Sequence, residues 1–129
     1  GLVMFFEGAT IRSAVGFRGN DLQFRDGAAF TNLVAGANND QWYKIDVEWN
    51  VTTQAGKFRF RVDDGTWSAW STGYSAISAN IDAMRLYADG RTGGSAFYID
   101  NISAPEIPIA SVLRDMERPV FLKTKVVGY

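Results

Sequence analysis

Trp42-Tyr43-Lys44-Ile45-Asp46-Val47-Glu48-Trp49, a turn over residues 52–56, and Lys57-Phe58-Arg59-Phe60-Arg61-Val62-Asp63 together decide the fold. In the first run Ile45, Val47 and Trp49 alternate with Lys44, Asp46 and Glu48. In the second, Phe58, Phe60 and Val62 alternate with Lys57, Arg59 and Arg61. Period-two alternation marks a strand with one face in a core. Laid antiparallel, the runs pair Ile45 with Val62, Val47 with Phe60 and Trp49 with Phe58 on the apolar face. The other face then pairs Asp46 with Arg61, Glu48 with Arg59 and Lys44 with Asp63, each match contributing ~0.2–1 kcal/mol. A slip of one residue would set apolar side chains against charges, so the register is fixed by the sequence itself.

Similar short strands flank this hairpin. Leu2 to Glu7 is apolar and ends at Gly8; Thr10 to Phe17 follows, with a turn at Gly19-Asn20. Leu22 to Phe24 and Phe30 to Val34 are expected strands joined by Asp26-Gly27, a strong two-residue hairpin signal. Ala35 to Asp40 reads as a loop. Beyond the hairpin, Asp63-Asp64-Gly65 makes a turn, and Trp67 to Trp70 is a short strand or a packed loop. Ser71 to Asn80 is a small-residue connection. Ile81 to Ala88 and Ala96 to Ser103 are expected strands around a turn at residues 89–94.

From Ala104 the character changes. Pro105, Pro108 and Pro119 bracket residues 111–117, which have room for one or two helical turns, and Pro119 to Val127 again has strand character. The chain therefore divides into a sandwich over residues 1–104 and an extension over residues 105–129. Three readings of that extension stay open: a closing strand, a linker, or an assembly arm. About nine short strands with regular turns and no convincing helix before residue 104 predict an all-β, two-sheet antiparallel β-sandwich of the jelly-roll kind.

Composition narrows the function. The 129 residues suit one domain, and 47% are hydrophobic and 14% aromatic, with nine Phe, five Tyr and four Trp. Thirteen basic against fourteen acidic residues give a net charge of −1, which argues against a nucleic-acid partner. Cysteine and histidine are both absent. That removes disulfides, thiolate nucleophiles, Cys/His zinc sites and a Ser-His-Asp triad, and leaves only hard cations such as calcium, bound through oxygen. No apolar run approaches the roughly 18 residues of a membrane span, so membrane insertion is not expected. The opening Gly1-Leu2-Val3-Met4-Phe5-Phe6 reads as a strand rather than a signal peptide, and a start at Gly1 suggests a piece of something larger.

Three stretches in order carry a family resemblance: Trp42-Tyr43-Lys44-Ile45-Asp46-Val47, then Phe58 through Val62-Asp63-Asp64-Gly65, then Phe97-Tyr98-Ile99-Asp100-Asn101-Ile102. This order resembles laminin-G-like and concanavalin A-like jelly rolls, and carbohydrate-binding modules of similar shape, across about residues 40 to 103. Many full laminin-G-like domains are longer, so the resemblance implies an abbreviated sandwich. Phe6-Glu7-Gly8 also resembles the opening of some carbohydrate-binding modules. There a Glu and a last-strand Asp help hold a structural Ca2+, which would map onto Glu7 and Asp100.

Trp67, Trp70, Tyr74 and Tyr87 lie near turns and are the candidate glycan-binding residues, since a flat ring stacks on the apolar C–H face of a sugar. Each has a rival reading as a core ring, and for Trp42 and Trp49 the core reading prevails. Asp46 and Glu48 share a strand face, as in the carboxylate strand of jelly-roll glucanases, where two carboxyls act in retaining hydrolysis. Lys44 occupies the position of the nucleophile in that comparison, and the cross-strand arginines account for both acids. An enzyme is therefore not expected. The reading that follows is a non-catalytic glycan-binding module of a larger extracellular or cell-surface protein, with a polysaccharide or glycan as partner. The alternative is a structural or assembly domain of a surface or virion protein, self-associating through the C-terminal tail.

Overall fold

The computed structural model describes residues 1–38, 40–87, 96–103 and 120–127. The turn expected at residues 89–94 and the helical turns expected at residues 111–117 lie outside them. Nine strands are present, and no helix occurs among the described residues: β1 (Leu2–Glu7), β2 (Thr10–Arg18), β3 (Asp21–Asp26), β4 (Ala29–Val34), β5 (Trp42–Asn50), β6 (Lys57–Val62), β7 (Ala83–Tyr87), β8 (Ala96–Ser103) and β9 (Val120–Val127). They form a five-stranded sheet in the order β4-β3-β2-β1-β7 and a four-stranded sheet in the order β6-β5-β9-β8. Every pairing is antiparallel. Of the three readings open for the tail, residues 120–127 form a strand, seated between β5 and β8.

The central hairpin has the register its alternation demands. Ile45 faces Val62, Asp46 faces Arg61, Val47 faces Phe60, Glu48 faces Arg59 and Trp49 faces Phe58. Its turn is tied by the buried Asn50, whose Oδ1 accepts from the amides of Thr52 and Thr53, both at 2.9 Å. Lys44 lies opposite Asp63 as expected, with Asp63 N donating to Lys44 O at 2.9 Å, but its ammonium pairs elsewhere. Its amide donates to Asp63 Oδ1 at 2.8 Å, while its ammonium reaches Asp64. Asp63 and Asp64 both have positive φ, and that turn swings the second carboxylate back over β5.

Apolar side chains from both sheets make one core. Phe5 of β1 lies 6.3 Å from Trp49 and 6.2 Å from Phe58, Phe17 lies 5.8 Å from Tyr43, and Phe24 stacks on Phe60 at 4.8 Å. Burial of this much aromatic surface is the main favourable term in folding. Trp42, expected inside, is 37% exposed, whereas Tyr43 is buried and its hydroxyl accepts from the amide of Asn38 at 2.8 Å. Strand parity explains the exchange: Tyr43 shares its face with Ile45, Val47 and Trp49, and Trp42 does not. The β3–β4 turn is also displaced by one residue from the expected pair. Asp26 is still paired, with Ala29, so Gly27 and Ala28 form the loop, and only Gly27 takes positive φ (60°). Glycine at the first central position is the two-residue hairpin pattern that needs no second left-handed residue.

Candidate functional site

The site grows from the charged face of the β5–β6 hairpin. Arg61 Nε lies 2.5 Å from Asp46 Oδ2, and Arg59 Nε donates to Glu48 Oε2 at 2.7 Å. Sequence alternation places these pairs on the outside of the sandwich, yet Asp46 is 0% exposed and Glu48 only 6%. The segment after β6 covers the two arginines that hold these carboxylates. There Ser68 N donates to Phe60 O at 2.7 Å, while Phe58 and Ser71 exchange backbone hydrogen bonds of 2.7 and 2.6 Å. This return runs along the free edge of β6 and lays its two tryptophans over the arginines. Trp67 lies 4.8 Å from both Arg59 and Arg61, and Trp70 lies 4.7 Å from Arg59. Each carboxylate therefore holds an arginine, and the arginines hold the tryptophan rings by cation–π attraction.

The far end of the segment is anchored to the other sheet. Ser71 Oγ donates to Arg25 O at 2.8 Å and accepts from Gly73 N at 3.0 Å. Gly73, at φ 68°, passes so close to Arg12 and Ser13 that a Cβ there would collide with the Arg12 carbonyl. Pinned at both ends, the segment leaves a cleft of about 370 Å³ between itself and the β4 edge. Phe24, Asp26, Thr31, Asn32 and Leu33 form one wall; Thr66, Ser68, Ala69 and Trp70 form the other.

The four candidate aromatics do not form one site. Trp67 and Trp70 come together, both half-buried, and Trp70 alone also lines the cleft. Tyr74, 40% exposed, lies over the Arg25 guanidinium at 4.3 Å, away from the cleft. Tyr87, 50% exposed, ends β7 at the opposite edge of the five-stranded sheet from β4. Asp26, Thr31 and Asn32 carried no signal of a site in the sequence. Asp26 read as a turn residue, and nothing local indicates that residues 66–70 come to face it.

Glu7 and Asp100 lie in different sheets. Glu7 accepts from Ser78 Oγ at 2.7 Å, Ala79 N at 2.6 Å and Ser78 N at 3.2 Å, and pairs with Arg12 at 2.6 Å. These contacts, the Ser78 hydroxyl foremost, hold its pKa down to about 2. A guanidinium against the carboxylate is the wrong neighbour for a cation, so Glu7 does not fit the calcium role. Its contacts make it the anchor of the loop at residues 78–79. Asp100 is exposed, and Asn101 Nδ2 donates to it at 3.4 Å. Among the described residues no group of three or more potential metal ligands occurs.

Comparisons with protein-family models, with curated proteins and with solved structures found no match to this chain.

Proposed function

We propose that this chain is a non-catalytic glycan-binding module of a larger extracellular or surface protein, built on a jelly-roll sandwich of the laminin-G-like and concanavalin A-like kind. The observation that carries the reading is Trp70: a half-buried ring, fixed by Arg59, lining a cleft beside Asp26, Thr31, Asn32 and Thr66. A flat apolar ring beside hydroxyl, amide and carboxylate groups suits a sugar, which offers a C–H face and a rim of hydroxyls. Asp46 and Glu48, the acids that invite comparison with glucanases, are held by Arg61 and Arg59 beneath the tryptophans and are not part of the cleft wall.

Electrophoresis through gels containing soluble polysaccharides tests the reading. The wild-type chain is retarded by at least one polymer, and Trp70→Ala, with an unchanged far-ultraviolet spectrum, migrates freely. Equal retardation of the two proteins removes Trp70 as the platform.

One observation favours the assembly reading as second. Leu86 and Tyr87 on β7, with Tyr98 and Ile102 on β8, are exposed apolar side chains on the two outermost strands at one side of the sheets. Deleting the tail would remove β9 from its sheet, so Leu86→Lys with Tyr98→Lys is the cleaner probe. A mass in solution that drops to the monomer value in this variant supports assembly; a wild-type monomer counts against it.

A further inference from the structure

We infer that the cleft selects neutral glycans and turns acidic ones away, an inference that rests on the glycan reading above. Asp26 is the sole ionisable group among the residues lining the cleft, and it is exposed at the end of β3. Thr31 Oγ1, 3.5 Å away, is its hydrogen-bond donor, and no ion pair neutralises it among the described residues. The nearby arginines are committed elsewhere. Arg25 stands between Phe24 and Asp26 in the chain, so its side chain leaves the opposite face of β3, where its guanidinium lies 4.3 Å from Tyr74 and 5.1 Å from Phe30. Arg59 is paired with Glu48, and Arg61 with Asp46.

An ionised carboxylate accepts hydrogen bonds and donates none. Two adjacent sugar hydroxyls therefore match its two oxygens, whereas a uronate or a sulfate ester would bring a second negative charge to the same place. Repulsion between unit charges a few ångströms apart at a protein surface corresponds to a penalty of roughly tenfold in affinity or more.

The test measures binding of the full chain to neutral polymers (a β-glucan, a mannan and a xylan) and to acidic ones (polygalacturonate, alginate and chondroitin sulfate) at fixed ionic strength. Wild type should bind a neutral polymer at least about tenfold more tightly than any acidic one. Asp26→Asn should narrow that gap about tenfold, and added salt should narrow it in wild type but not in the variant. A wild-type preference for acidic polymers, or a gap that Asp26→Asn leaves unchanged, overturns the inference while the glycan reading stands. Failure to bind any polymer overturns the glycan reading, and the inference goes with it.

Discussion

Arg59 holds Trp70: its guanidinium lies 4.7 Å from the centroid of the indole ring. The same guanidinium meets the Glu48 carboxylate at 2.6 Å. A strand-borne ion pair thus fixes the orientation of a loop-borne aromatic. Replacing Arg59 by Ala should cost about 2–3 kcal/mol, below the fully buried range because Arg59 is partly exposed, since a nearly buried Glu48 loses its partner. Urea unfolding measures the loss, and a red shift of tryptophan emission should accompany it as the rings loosen. Arg59→Lys keeps the charge but not the planar stack, so it should recover stability more fully than emission wavelength.

Asp46 and Arg61 form the companion pair, and Asp46 is wholly buried. A double-mutant cycle with Asp46→Ala and Arg61→Ala should return a coupling energy of about 1–3 kcal/mol. Additive effects would show that the pair is a neighbourhood rather than an interaction.

The hairpin was legible because alternation on both faces admits one register, and the observed ladder from Ile45–Val62 to Trp49–Phe58 follows it. The burial of Asp46 was not legible. Nor was the return of residues 66–71 along β6, which lays Trp67 and Trp70 over the arginines and which hydrogen bonds at Phe58 and Phe60 dictate and side-chain pattern does not. Trp42 was misplaced although parity with Ile45 was sufficient to exclude it from the core. The cleft escaped entirely, because it joins β3 and β4 to a segment some forty residues onward with no covariation of pattern between them. Tyr74 and Tyr87 show the limit of reading aromatics near turns as one surface, for the topology sends them to separate places.

The contact between Phe24 and Phe60 joins the two sheets at 4.8 Å. Phe60→Ala should therefore destabilise the chain by about 3–5 kcal/mol, the range for a large aromatic removed from a packed core. A loss below about 1 kcal/mol in thermal or urea unfolding would be incompatible with two sheets packed through this residue.

Glu7 gives the chain a signature in acid. Its pKa is lowered from the ordinary 4.5 to about 2 by Ser78, Ala79 and Arg12, so its contribution to stability is complete above pH 4.5. As pH falls from there toward 2, the unfolded chain binds the proton first and that contribution disappears. Over this window wild type should lose more stability than Glu7→Gln, measured as urea midpoints at successive pH values. Parallel declines would show that Glu7 is not held as described. Because Arg12 occupies the carboxylate, chelating agents should leave the difference between the wild-type and Glu7→Gln midpoints unmoved at neutral pH.

The location of the ligand is the most direct test of the glycan-binding account. Backbone amide shifts of the isotopically labelled protein, followed through titration with a neutral oligosaccharide from a polymer that retards it, locate the ligand without mutation. Shifts should cluster at Asp26, Thr31 to Leu33 and Thr66 to Trp70, with the Trp70 indole among the largest. Shifts centred on Tyr74 or on Tyr87, with the cleft residues silent, would contradict the account.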